Sequence, residues 1–218
     1  MENDDTRIAT PVEEGIVYII DDDVSICDAL SSLLRSSGFS ARTFTRIDDF
    51  LRAPKEDRPG CLLLDVRLRG ESGLSFQQSA SRYEIDMPIV FMTAHGDIEM
   101  SVRAMKAGAI DFLTKPVREQ RVIDAVSTAL GRHAAWRERT RAQASLRARY
   151  DLLTSREREV VFYVVEGLLN KQIAGELKLS EITVKIHRGS AMRKLEAQSV
   201  ADLVRKMEVI GMAQHAGN

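Results

Sequence analysis

The chain has 218 residues, 44 % of them hydrophobic, with 31 Lys and Arg against 32 Asp and Glu and a net charge of −1. That length favours two domains over one, and no apolar stretch approaches the roughly 20 residues of a membrane helix, so no membrane association and a cytoplasmic location are expected. The near-neutral total conceals an asymmetry: residues 1–130 carry 15 basic and 22 acidic side chains (net −7), whereas residues 131–218 carry 16 and 10 (net +6), which suggests a polyanion as partner of the second part, with a solvated basic surface that binds no ligand as the ordinary alternative.

The opening MENDDTRIATPVEEG is acidic and has neither the basic nor the apolar region of a signal peptide, so residues 1–15 read as a mobile tail. Short apolar runs follow, VYII (17–20), CLLL (61–64), PIVFM (88–92) and IDFL (110–113), each succeeded by a stretch with helical spacing. FSARTF is a weaker strand. Ile26, Leu30, Leu33 and Leu34 give one face of a helix that stops at Gly38, and TRID (45–48) reads as a capping box opening another. Runs that are apolar throughout fit strands covered on both faces, so residues 16–130 are expected to form an α/β doubly wound parallel five-stranded sheet. Cys27 and Cys61 have no metal-ligand spacing and are expected to be reduced and buried.

In such a sheet, ligands bind beyond the carboxyl ends of the strands. The residues found there are Asp21 and Asp22, Asp65, Thr93 and Lys115, so four segments remote in sequence deliver carboxylates, a hydroxyl and an ammonium to one edge. Clustered carboxylates either take up protons or hold a cation, and oxygen donors without His or Cys nearby suit Mg²⁺, which often shares its site with a phosphoryl group. With its charge neutralised, Asp65 is a competent nucleophile toward a phosphoryl donor, and Lys115 and Thr93 are placed to hold phosphoryl oxygens. Each residue taken singly has a plainer reading. An Asp after a strand is commonly a turn former or helix cap, Asp23 can simply start the next helix, and Phe112 can be ordinary core. The coincidence of four strand ends outweighs those readings.

The segments IIDDD, LLLDVRL with Gly73 downstream, VFMTAHGD and AMKAGAIDFLTKP together make residues 17–130 resemble the receiver domain of two-component response regulators, a flavodoxin-like fold. The resemblance implies Asp65 as phosphoacceptor and Mg²⁺ bound by Asp22, Asp65 and the backbone carbonyl of Arg67, with Asp21 acting mainly through a bound water. It also implies Thr93 and Lys115 on the phosphoryl group and Phe112 at the aromatic switch position. His95 and Arg67 stand where, by the same resemblance, side chains tune loss of the phosphoryl group. One departure is clear. Receivers usually carry Met-Pro soon after the phosphoacceptor, but here Leu68-Arg69 precedes GESG, so a loop less constrained in its backbone angles is expected.

Residues 131–152 (GRHAAWRERTRAQASLRARYDL) are rich in Arg and Ala and helical by propensity; Trp136, Leu146 and Tyr150 keep no heptad, so a solvated helical linker is expected. Residues 153–212 read as an all-α four-helix domain with a helix-turn-helix, followed by a C-terminal tail at 213–218. Thr154 and Glu157 form a capping box, Gly167 closes the first helix, and Asn170, Ser180 and Ser199 read as caps of the other three. In the third helix Val184, Ala191 and Leu195 share an inward face. The opposite stripe holds Ile182, Lys185, Ile186, Gly189 and Arg193, a positive and partly apolar surface suited to a major groove. Lys171, Thr183, Arg188 and Ser190 are candidates for phosphate contacts. LTSREREVV, EGLLNKQIA and TVKIHRGSAMRKL resemble the LuxR-type DNA-binding domain, and the pair of domains resembles regulators of the FixJ/NarL subfamily.

The function expected from this is a response regulator, not an enzyme acting on an external substrate, although the receiver can assist its own phosphorylation and dephosphorylation. It would be phosphorylated by a sensor histidine kinase, form a homodimer and bind promoter DNA, with RNA polymerase a candidate further partner. Two competing expectations are a Mg²⁺-dependent phosphohydrolase using the same aspartate, and a DNA-binding protein whose receiver works independently of phosphorylation.

Overall fold

The computed structural model describes residues 15–94 and 98–212. The expected tails and His95 lie outside them, except Gly15, which is buried against Leu130. The chain divides into two compact units, Met1–Arg137 and Glu138–Asn218.

The first unit begins β1 (Ile16–Ile20), α1 (Val24–Ser36), β2 (Ser40–Phe44), α2 (Ile47–Arg52) and β3 (Gly60–Asp65). A small hairpin of β4 (Arg67–Leu68) and β5 (Glu71–Ser72) leads into α3 (Gly73–Ser79), a 3₁₀ turn (Ala80–Tyr83), β6 (Ile89–Thr93), α4 (Ile98–Lys106) and β7 (Asp111–Thr114). The helix α5 (Glu119–Asp151) starts in this unit and ends in the next. Five strands pair in parallel in the order β2-β1-β3-β6-β7, so their carboxyl ends share one edge and the order reverses between β1 and β3.

Strand alternation splits the core in two. Val17, Ile19, Cys61, Leu63, Val90 and Met92 pack with α1 and α5 on one face; Tyr18, Ile20, Leu62, Leu64 and Phe91 pack with α2, α3 and α4 on the other. Both cysteines are free and buried, and burial pushes their thiols up to about 11 for Cys27 and about 12 for Cys61.

Two local expectations in this unit are corrected. The cap of α2 is Arg46 and not Thr45, and no side chain of its own caps it; the Ile47 amide donates to the Glu71 carboxylate at 3.4 Å, a contact from the hairpin. The loop after β3, expected to be loosely constrained, is closed by the hairpin pairing of Arg67 with Ser72 around Gly70, whose φ of +79° glycine adopts without strain. The stretch 131–152 is helical as expected and, but for Leu152, belongs to α5. Its first part carries the buried His133, whose Nδ1 accepts the Gly60 amide at 2.8 Å, and its later part buries Leu146 among the residues of the second unit.

The second unit is all-helical: α6 (Ser155–Val165), α7 (Asn170–Leu177), α8 (Glu181–Lys194) and α9 (Val200–Val209). Thr154, Ser180 and Ser199 cap their helices as expected. Asn170 does not cap α7, because it is already the first helical residue. Leu169 holds the cap position, and Gln172 accepts the Leu169 amide at 2.8 Å. Val184, Ala191 and Leu195 are completely buried beside Val160, Ile173 and Leu203. Among the described residues no helix is long and apolar enough to cross a membrane.

Candidate functional site

At the carboxyl edge of the sheet, β1 delivers Asp21 and Asp22, β3 delivers Asp65, β6 delivers Thr93, and the segment after β7 delivers Lys115. One carboxylate oxygen from each of Asp21, Asp22 and Asp65 lies within 4.8 Å of the others. The Lys115 ammonium bridges two of them, at 2.6 Å from Asp21 Oδ2 and in direct contact with Asp65 Oδ2. The remaining oxygens are held by the local backbone. Asp21 Oδ1 accepts the Asp23 amide at 3.0 Å, and Asp65 Oδ1 accepts the Arg67 amide at 2.9 Å. Both carboxylates are therefore oriented from two sides, and Asp23 caps α1 by accepting the Ser25 amide.

Burial raises the Asp21 carboxyl above its ordinary value, against the opposing pull of Lys115 and with the negative charge of Asp65 adding to it. Burial acts to lower the Lys115 ammonium, but its hydrogen bonds to Asp21 and Asp65 prevail and raise it. Even with the exposed Arg69 guanidinium beside Asp22, Lys115 leaves the three carboxylates short of positive charge. Oxygen-only donors, close spacing and residual negative charge fit a small hard cation such as Mg²⁺.

Thr93 is buried at the end of β6, and its carbonyl accepts the Lys115 amide at 2.7 Å. Phe112 on β7 is half-buried beside Phe91, with ring centroids 6.3 Å apart. A mostly apolar cavity of about 600 Å³ opens next to Lys115, lined by Ile26, Ala29, Leu30, Met92 and Pro116 among others. Gly73 is needed for close approach, since a Cβ there would stand 2.4 Å from the Asp65 carbonyl oxygen.

Two contributors had no sequence signal. Arg69 donates from Nε to Asp22 Oδ2 at 3.1 Å, and Glu71 ties the hairpin to α2. Only the pairing of β4 with β5 brings Arg69 to the site and Glu71 to α2, and a two-residue ladder is too short to announce itself by periodicity.

In the second unit, Ile182, Lys185, Ile186 and Arg193 stand exposed on α8, and Lys171 is exposed at the start of α7. A Cβ at Gly189 would meet nothing closer than Arg193 at 3.8 Å, so the protein itself does not require glycine there. Three of the other candidates are already engaged. Thr183 and Ser180 share a hydrogen bond of 2.8 Å, Arg188 donates to Asn170 at 2.9 Å, and Ser190 bonds to the buried Glu157.

Comparison with known proteins identifies two families along the chain. The response regulator receiver domain matches residues 17–127, and the luxR family of bacterial regulatory proteins matches residues 151–207. Nodulation protein W of Bradyrhizobium diazoefficiens is 46 % identical over 200 residues, covering 92 % of this chain and 88 % of that protein. The transcriptional regulatory protein FixJ of Azorhizobium caulinodans is 39 % identical over 197 residues, covering 90 % and 93 %. Among solved structures, the response regulator StyR superposes with a TM-score of 0.80 at 45 % identity, covering 89 % of this chain and 98 % of that one.

Proposed function

Because the chain belongs to the FixJ/NarL-type two-component response regulators, a receiver domain joined to a LuxR-type helix-turn-helix domain, we propose that Asp65 accepts a phosphoryl group from a sensor histidine kinase and that this promotes a dimer that binds promoter DNA. The observation that carries the reading is the convergence of Asp21, Asp22 and Asp65 around the Lys115 ammonium.

Asp22, Asp65 and the Arg67 carbonyl would hold Mg²⁺ directly, with Asp21 acting through a water. When bound, the ion neutralises carboxylate charge and polarises the phosphoryl oxygens. An Asp65 carboxylate oxygen attacks phosphorus; the bond from phosphorus to the kinase imidazole nitrogen breaks, and its electron pair stays on that nitrogen. Lys115 turns from Asp65 to the incoming phosphoryl oxygens, and Thr93 donates its hydroxyl to one of them. The apolar cavity beside Lys115 suits a helix of the kinase laid against α1.

Phosphorylation adds charge at one strand end and acts by biasing an element that already has two arrangements, here α4 and β7 with Phe112. Paired recognition helices would then meet successive turns of DNA through Lys185, Ile186, Gly189 and Arg193, with Lys171, Thr183, Arg188 and Ser190 on phosphates. Engaging the last three requires exchanging their present partners.

The test is to treat the full chain with acetyl phosphate and Mg²⁺ and to follow intact mass, oligomeric state and DNA binding. A gain of one phosphoryl group, dimerisation and tighter binding are expected, all absent in Asp65→Asn. Steady turnover of the donor without a labelled protein would instead identify a phosphohydrolase, and DNA binding indifferent to the donor would remove phosphorylation from the account.

A further inference from the structure

Arg69 occupies the position where receivers usually carry proline, and it reaches back to the site. Its Nε stands 3.1 Å from Asp22 Oδ2 while 87 % of its side chain remains exposed. The arm that presents it is fixed at both sides: Leu68 is buried, and Glu71 holds the Ile47 amide and lies 4.0 Å from the Arg46 guanidinium. Asp21 and Asp65 already share Lys115. Asp22 is the carboxylate of the three that Lys115 does not bridge, and Arg69 supplies its cation.

We propose that Arg69 is a tethered competitor for the divalent cation. Its guanidinium holds Asp22 Oδ2 when the metal is away, and it must give up that oxygen when the metal binds. It thereby raises the metal concentration at which Asp65 becomes reactive. Arginine is suited to this role because its charge is permanent, and its exposure leaves it free to swing into solvent. The same exposure limits the effect. A screened surface ion pair supports a change of roughly two- to five-fold in affinity and no more. The inference rests on the reading of Asp21, Asp22 and Asp65 as the metal site.

Titration of the full-length chain with Mg²⁺ by calorimetry tests it, at low and at high salt. Arg69→Ala should bind Mg²⁺ roughly two- to five-fold more tightly at low salt, with the gain shrinking as salt rises. Arg67→Ala controls for loss of a nearby positive charge, because that exposed side chain is not the one paired with Asp22, and its gain should be smaller. Unchanged or weaker binding by Arg69→Ala, or an equal gain from Arg67→Ala, overturns the proposal. Asp65→Asn separates the two levels. If it weakens Mg²⁺ binding while Arg69→Ala changes nothing, only the competitor falls; if the protein binds no Mg²⁺, or Asp65→Asn leaves binding intact, the metal site falls and the competitor with it.

Discussion

Glu157 ties a helix start to a helix end. Its carboxylate accepts the Thr154 amide at 2.8 Å, completing the capping box of α6, and also takes the Lys194 ammonium of α8 at 2.7 Å. Burial pushes this carboxyl up, but the bonds from Lys194, Ser190 and Thr154 outweigh it and lower it from 4.5 to about 2. The unfolded chain therefore takes up a proton at a higher pH than the folded one. The stabilisation is complete above about 5 and is lost as pH falls from there towards 2. Glu157→Gln should destabilise the second unit by ~1–3 kcal/mol at neutral pH and flatten its acid limb, as read by thermal denaturation across that range. Gly73 makes a comparable point beside the aspartate cluster. Gly73→Ala forces its Cβ against the Asp65 carbonyl, so backbone must move, and a lower melting temperature together with weaker Mg²⁺ binding is expected in calorimetry. The Thr154–Glu157 box is legible as a short-range spacing, whereas Lys194, 37 residues further on, is not.

Among the elements, α5 and α8 carry the sharpest expectations. His133 on α5 is buried, with Nδ1 accepting the Gly60 amide, Nε2 3.4 Å from Asp86 and its ring stacked on Trp136. Burial lowers its pKa below 6.5; Asp86 opposes this and Arg137 reinforces it. Protonation would also remove the acceptor that Gly60 uses. The first unit should lose stability as pH drops below about 6.5, at up to about 1.4 kcal/mol per pH unit. His133→Gln keeps a hydrogen-bond acceptor and cannot take up that proton, so its melting temperature should be flat over the same interval. For α8, Lys185→Ala is expected to cost ~1–3 kcal/mol at one base position and relax specificity there. Lys171→Ala should instead weaken binding alike for all sequences and reduce the salt slope by about 1, measured by fluorescence anisotropy at several salt concentrations. Periodicity found α8 because one face is fully apolar. It could not show that Arg188 and Ser190 are bonded within the protein, since their partners come from α7 and α6.

At the scale of the whole molecule, two cores of different architecture stand in one chain, a sheet covered on both faces and a helical cluster. Glu157→Gln and His133→Gln should accordingly displace different thermal transitions in calorimetry. The charge division, net −7 against +6, predicts that acidic and basic chemistry separate with the domains. By itself the sequence determined the α/β and all-helical classes, which residues end the strands and the inward face of α8, because hydrophobic periodicity and capping are written over a few consecutive residues. Only the tertiary structure decided how Lys115 is shared between Asp21 and Asp65, that Glu71 rather than Thr45 serves the start of α2, that His133 and Leu146 on α5 are buried, and that Arg69 sits on Asp22. Those contacts join residues tens of positions apart, and their existence depends on strand order and a short hairpin, which no local spacing encodes.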